Sequence, residues 1–241
     1  VSEPMSVYVY AITKAAHPLG LDDVKGVGAD PTALHAVSNG ELSAVVSEAP
    51  DDLSVSRRDV EAHQEVQLQL WTEGAILPLS FGFVAPDEAA VEALLQEQAE
   101  TFSRRLDELT GRAEFNVKGV HDEDTLLRAV LTESARAREL NDAIREGGGT
   151  YEDRLALGEL VAQEVQGRQE ALGEEVLAAL RPYALDERLA PASQQYFVNA
   201  SFLVEGERED EFAEAGGELA EALGEGVELR LRGPLPPYSF V

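Results

Sequence analysis

The apolar spacing of this chain switches repeatedly between strand and helix periodicity, and those switches limit its architecture more than any other feature. Ser6 to Ile12 reads SVYVYAI, a β-branched and aromatic run suited to a strand that opens a core. From Leu126 to Leu180 the apolar residues recur every three or four positions. Leu157, Leu160, Val161, Val165, Leu172, Val176 and Leu180 form the inward face of a helix that starts near Tyr151. Tyr196 to Val204 is again β-prone, and Val227, Leu229 and Leu231 alternate with Glu228, Arg230 and Arg232 as in a half-buried strand. The predicted class is therefore α+β, with antiparallel or mixed sheets and packed helices. The 241 residues are enough for two cores: an N-terminal α+β domain over 1–125, a helical middle over 126–190, and C-terminal α+β elements with a tail over 191–241. The last two segments are expected to pack together as the second domain.

Within the first part, strands are expected at Leu34 to Ser38 and Leu42 to Ser47, joined by Asn39-Gly40, a dipeptide that tolerates the positive φ of a tight hairpin. Ser56 caps a helix to Glu73 whose inner face carries Val60, His63, Val66, Gln67 and Leu70. Ile76 to Val84 reads as one buried strand, and Pro86-Asp87 opens one long helix that runs to Leu109 and stops at Gly111. Glu114 to Val120 is the expected closing strand of the same sheet, which would bury one face. In the middle, Leu126 to Ile144 is helical and Gly147-Gly148-Gly149 interrupts it. Gly158, Gly167 and Gly173 then weaken the next helix by roughly 1 kcal/mol each unless packing uses the missing side chains. A loop runs from Pro182 to Pro191, and an acidic helix spans Glu207 to Leu223. The two strands at Tyr196 and Val227 need a third strand or a firm seat against the helices.

Charge narrows the partners. With 46 Asp and Glu against 19 Lys and Arg, the chain carries a net charge of -27, and no basic stripe with interleaved aromatics offsets it locally. Nucleic acid and lipid membrane are excluded as ready partners. The acids lie in both halves, and the only lysines are Lys14, Lys25 and Lys118. Two sources fit that composition: a halophilic host, or a moderately acidic cytoplasmic protein from an organism that prefers Arg to Lys. The absence of cysteine rules out disulfides, thiolate catalysis and Cys-ligated metals. The longest apolar runs are far short of a membrane span, and no signal-type start precedes Met5, so an intracellular location is expected. Val1 to Pro4 read as an expression remnant or a disordered start.

No constellation carries chemistry. His17, His35, His63 and His121 include no HxH or HExxH pair. Pro78-Leu79-Ser80-Phe81-Gly82 is not a nucleophile elbow, and the three-glycine run lacks a phosphate-loop continuation. Asp22-Asp23 and Asp51-Asp52 lack the ligand alternation of a calcium loop. The expectation is a binding or assembly protein with no catalytic, cofactor-binding or metal residues; a small-substrate enzyme is the disfavoured alternative. The ending, Gly233-Pro234-Leu235-Pro236-Pro237-Tyr238-Ser239-Phe240-Val241, combines stiff prolines with apolar anchors. Leu235, Tyr238 and Phe240 are thus the candidate residues for docking the tail on the body or for holding a partner.

Several stretches taken in order resemble the gas vesicle protein family GvpF/GvpL. They are Tyr8-Val9-Tyr10-Ala11-Ile12, Leu42 to Ser47, Val60-Glu61-Ala62-His63, Ile76 to Gly82, Glu114 to Lys118, Asn199 to Val204 and Gly233 to Phe240. The pairing of PLSFG with GPLPPYSF is the most specific part. Where the family often has Trp within the tail and Arg before Phe-Gly, this chain has Leu235 and Ser80. Leu keeps apolar burial but lacks the indole donor. The resemblance implies two α+β units, one of them ferredoxin-like, with the tail packed back on the body. It also implies an accessory role in gas vesicle assembly, as an adaptor or nucleation factor that contacts the hydrophobic shell protein and other accessory gas vesicle proteins. Self-association and a minor structural place in the vesicle wall stay open beside it, with the location being the gas vesicle or the cytoplasm before assembly.

Overall fold

The computed structural model describes residues 5–51, 53–191, 193 and 195–241, so the Val1 to Pro4 start and the Asp52 half of the Asp51-Asp52 pair lie outside the described residues. The chain divides into two compact units, Val1–Glu114 with Pro234–Val241, and Phe115–Gly233.

The first unit is built on β1 (Val7–Lys14). Along one edge it pairs antiparallel with β3 (Leu42–Glu48), which pairs in turn with β2 (His35–Ser38). The β2–β3 hairpin turns at Asn39-Gly40, but only Gly40 takes a positive φ, of 97°. Asn39 contributes through its side chain, whose Oδ1 accepts from the N–H groups of Glu41 and Leu42. A helix follows, α1 (Arg57–Glu73), with Ser56 at its N-cap accepting from Asp59 N–H. Its buried stripe is Asp59, His63, Val66, Gln67 and Leu70, with an acid where spacing pointed to Val60.

On the other edge of β1, the single strand expected over Ile76–Val84 is instead two, β4 (Ile76–Pro78) and β5 (Val84–Ala85). Both pair antiparallel with β1, Ala11 opposite Pro78 and Tyr8 opposite Val84. Leu79–Phe83 lies between them as a turn, closed by Phe83 N–H on Ser80 O and allowed by Gly82 at φ 89°. The long helix is also two, α2 (Glu88–Glu97) and α3 (Ala99–Leu109), separated at Gln98, where φ −104° and ψ 11° leave the helical range. β1 is buried at every position from Val7 to Thr13, which corrects the expectation of one covered face. A continuous apolar run, unlike an alternating one, needs cover on both sides. Val66 and Leu70 of α1 pack against Tyr8, Tyr10, Val27 and Val45, while α2 and α3 bury Val91, Leu95, Leu106 and Leu109.

β6 (Arg112–His121), which belongs to the second unit from Phe115 onward, joins a four-stranded sheet in the order β7-β8-β6-β9 rather than closing the first sheet. Three helices follow: α4 (Glu123–Glu133), α5 (Ala135–Arg145) and α6 (Tyr151–Leu180). Ser134 ends α4 and N-caps α5, dividing the helix expected over Leu126 to Ile144. A reciprocal capping box between Thr150 and Asp153 starts α6. Only its C-terminal part is buried, at Gly173, Val176, Leu177 and Leu180. β7 (Asp186–Leu189) occupies what read as a loop, because Asp-Glu-Arg-Leu has no β-prone pattern and is mostly exposed. It pairs antiparallel with β8 (Val198–Glu205). Then come α7 (Glu209–Ala222) and β9 (Val227–Leu235). The two late strands thus obtain neighbours in β6 and β7. The core centres on Phe212, whose ring lies 4.9 Å from Phe115 and 5.3 Å from Phe202.

The glycines of α6 separate by environment. A Cβ at Gly158 or Gly167 would meet nothing within 4 Å, whereas at Gly173 it would lie 3.0 Å from Phe197 O. Gly158→Ala and Gly167→Ala are each expected to stabilise the protein by up to about 1 kcal/mol through helix propensity. Gly173→Ala is expected to forfeit that gain through crowding, and urea unfolding of the three variants reads the difference.

Candidate interaction surface

The turn at Leu79–Phe83 is set by a buried polar network. Tyr8 and Tyr10 are fully buried with ring centroids 4.8 Å apart, so both hydroxyls require partners. Gly82 N–H donates to the Tyr8 hydroxyl at 3.0 Å, which donates to His63 Nδ1 at 2.9 Å. The opposite ring nitrogen, His63 Nε2, donates to Leu79 O at 3.1 Å, and Gln67 Nε2 donates to the same carbonyl at 2.8 Å and to Tyr10 O at 2.8 Å. The Tyr10 hydroxyl accepts from Val27 N–H and bonds Ser47 Oγ. This pattern uses a neutral imidazole, and burial holds His63 below its ordinary pKa of 6.5 against the smaller opposing pull of the Leu79 carbonyl. Its role is structural. His35 is exposed and faces Glu88, and among the described residues no group of three or more His, Asp or Glu is placed to hold a metal ion.

The tail returns to the same unit. Pro236 and Pro237 are buried, and a short 3-10 turn over Tyr238–Phe240 follows. Ser239 donates from its N–H to Glu114 Oε2 at 2.7 Å and from its hydroxyl to Glu114 Oε1 at 2.8 Å. Glu114 is itself buried, on the face of β6 opposite to that of Ala113 and Phe115. Of the candidate tail residues, Phe240 is 1% exposed, Leu235 is half-buried, and Tyr238 is at the surface edge. Partial burial, with the Glu114 charge adding to it, pushes the Tyr238 pKa up to about 12.

Between turn and tail lies an open cavity of about 650 Å³. Ile12, Leu77, Pro78 and Leu79 come from β1, β4 and the turn; Thr101, Phe102, Arg104, Arg105 and Glu108 come from α3; Val241 comes from the tail. The walls are largely apolar, and two arginines stand at them in a chain with 19 basic residues against 46 acidic ones. Arg105 Nη1 donates to Glu108 Oε2 at 2.7 Å. The arrangement can hold an apolar segment but carries no nucleophile and base in contact. Leu235, Tyr238 and Phe240 are not among its lining residues. The sequence missed Glu114 and the α3 wall; Glu114 stands at a polar position of the alternation from Arg112 to Lys118, so no local signal marked it.

Both network and tail can be tested. His63 is neutral when folded and takes up a proton when unfolded. Its stabilisation is therefore complete above pH 6.5 and lost as the pH falls through its depressed folded value. Urea midpoints measured on either side of that pH are expected to fall on acidification, and by less in His63→Gln. Glu114→Ala removes the acceptor of two tail bonds and is expected to cost about 2 kcal/mol, with faster proteolysis after Gly233.

Comparison with known proteins adds the relationship. The family model described as "Gas vesicle synthesis protein GvpL/GvpF" matches residues 6–241. The chain is 43% identical over 238 residues to Gas vesicle protein F of Streptomyces sp. (strain CB03234), covering 98% of this chain and 100% of that one. Gas vesicle protein L of the same strain is 28% identical, over 97% and 91% of the two chains. Among solved structures, gas vesicle protein GvpF from Anabaena sp. PCC7120 has the same fold, with a TM-score of 0.83 at 24% identity over 98% of each chain. GvpF from Microcystis aeruginosa superposes with a TM-score of 0.80 at 24% identity and the same coverage. A family match across nearly the whole length, joined to the same two-sheet fold, makes this chain a member of the GvpL/GvpF gas vesicle synthesis family.

Proposed function

We infer that the chain is a non-enzymatic accessory protein of gas vesicle assembly, an adaptor or nucleation factor that holds an apolar segment of the small shell protein before it enters the wall. The observation that carries this reading is the cavity bounded by Pro78 and Leu79 of the PLSFG stretch on one side and on another by Val241, the residue that follows GPLPPYSF. Apolar walls supply affinity for a segment that would otherwise aggregate, and Arg104 and Arg105 supply local attraction for an acidic flank. The net charge of -27 supports the same reading by keeping the loaded protein hydrated. Other accessory gas vesicle proteins are the second class of partner, and Leu235, Tyr238 and Phe240 act through the tail's seat in the first unit.

The test is pull-down against each vesicle protein separately, comparing the intact chain with Phe102→Glu, which places a charge in the cavity wall, and with a chain cut after Arg232. Phe102→Glu is expected to weaken shell-protein capture about tenfold or more, the size of one anchor side chain, while circular dichroism stays unchanged. Intact protein that captures neither the shell protein nor any accessory protein would overturn the reading. Fractionation of washed vesicles separates the alternative: stoichiometric retention identifies a minor wall component, and presence only in assembly intermediates identifies an adaptor.

A further inference from the structure

The second unit ends its sheet in a strand with an unusual charge order. β9 is terminal in the order β7-β8-β6-β9, so among the described elements it has a strand neighbour on one side only. Its nine residues alternate, with Val227, Leu229 and Leu231 half-buried and Glu228, Arg230 and Arg232 exposed. Gly233, whose exposure is that of backbone, is open as well. A terminal strand of this length presents a row of unpaired backbone groups, which is a template for another strand unless something blunts it. Glu228 and Arg230 are two positions apart and so share a face, where Arg230 Nε and Nη2 donate to Glu228 Oε1 and Oε2 at 2.7 and 2.9 Å. With side chains 60% and 52% exposed, that pair contributes little where it stands.

We propose that β9 pairs edge to edge with β9 of a second copy of this chain, antiparallel about a two-fold axis at Leu229. In such a pair each residue before Leu229 faces the residue equally far after it in the other copy. Glu228 meets Arg230 of the second copy, and Arg230 meets its Glu228. On the opposite face Leu229 meets Leu229, and Val227 meets Leu231. Gly226 lies opposite Arg232, and Glu225 opposite Gly233, so no like charges face each other. Moving the axis by one residue either way sets Glu228 or Arg230 against itself, and directly opposed like charges are unfavourable. The sequence Val227-Glu228-Leu229-Arg230-Leu231 is thus complementary to itself in one register, which commits the edge to a second copy rather than to an unrelated strand. One strand pair is small beside a standard interface, and both copies are acidic, so the dimer is weak and depends on concentration. The inference uses only the second unit and stands apart from the cavity of the first.

The test is sedimentation velocity on the full chain across a concentration series at physiological ionic strength, with circular dichroism to confirm folding. Glu228→Arg and Arg230→Glu, each of which opposes like charges at two positions, are expected to weaken the dimer about tenfold or more. The double variant E228R/R230E reverses both signs, restores complementarity, and is expected to recover it. Because the chain has no cysteine, L229C reads the register directly. It is expected to form a covalent dimer on oxidation, whereas V227C and L231C cross-link only when mixed. A monomer at every concentration overturns the proposal. So does a dimer indifferent to both single reversals, a double variant that stays monomeric, or an L229C chain that fails to cross-link.

Discussion

The first unit depends on satisfying two buried phenols. Tyr8 and Tyr10 put their rings into the core of the central strand, and a hydroxyl buried without a partner costs on the order of 1–3 kcal/mol. Satisfying them recruits His63 from α1, Ser47 from β3, Val27 from the loop before β2, and Gly82 from the turn between β4 and β5. One strand therefore fixes the position of four other segments. The turn so placed lines the cavity through Leu79, so the geometry of the candidate surface rests on the bonds from His63 and Gln67 to the Leu79 carbonyl and from Gly82 to Tyr8.

The acids divide into two roles. Most are solvated and supply charge. Asp59 and Glu114 are the buried ones among the described residues, and each receives the backbone N–H of a distant segment: Asp59 from Gly28, Glu114 from Ser239. Hydrogen bonds from Ser56 first, with Gly28 and Arg58 adding to them, hold the Asp59 carboxyl below the usual carboxylate range against its burial. The Glu114–Ser239 contact spans 125 residues of chain, so the loop entropy it must overcome makes the neighbouring burial of Phe240 part of the same closure. The charge-assisted bonds orient the tail, and the buried ring supplies the apolar free energy.

Several elements were legible because their signals are local. Ser56 and the helix stripe to Leu70, the apolar spacing that starts α6 near Tyr151, the Asn39-Gly40 turn and the alternation of β9 all depend on residues a few positions apart. The breaks were not. Ile76 to Val84 reads as one strand on its apolar content although Pro78 and Gly82 fall within it, and the break comes at the turn where Gly82 takes a positive φ and gives its N–H to the Tyr8 hydroxyl. Gln98 divides α2 from α3 with neither proline nor glycine to announce it. β6 alternates correctly for a strand, but alternation says nothing about which sheet receives it. At the candidate surface, PLSFG and the tail stood out in the sequence, while Phe102 and Arg105 of α3 looked like any helix stripe.

The amino-acid sequence by itself determined the class, the starts of α1, α2 and α6, the acidic charge, the lack of thiol chemistry and the family to which the order of motifs belongs, because each follows from composition or short spacing. Tertiary structure alone decided which strands share a sheet, which two acids are buried, and that the turn and the tail border one cavity. Those outcomes depend on pairings between residues far apart in the chain. Hydrogen-bond partners and burial at such distances are selected by the whole packed arrangement, and no local pattern encodes them.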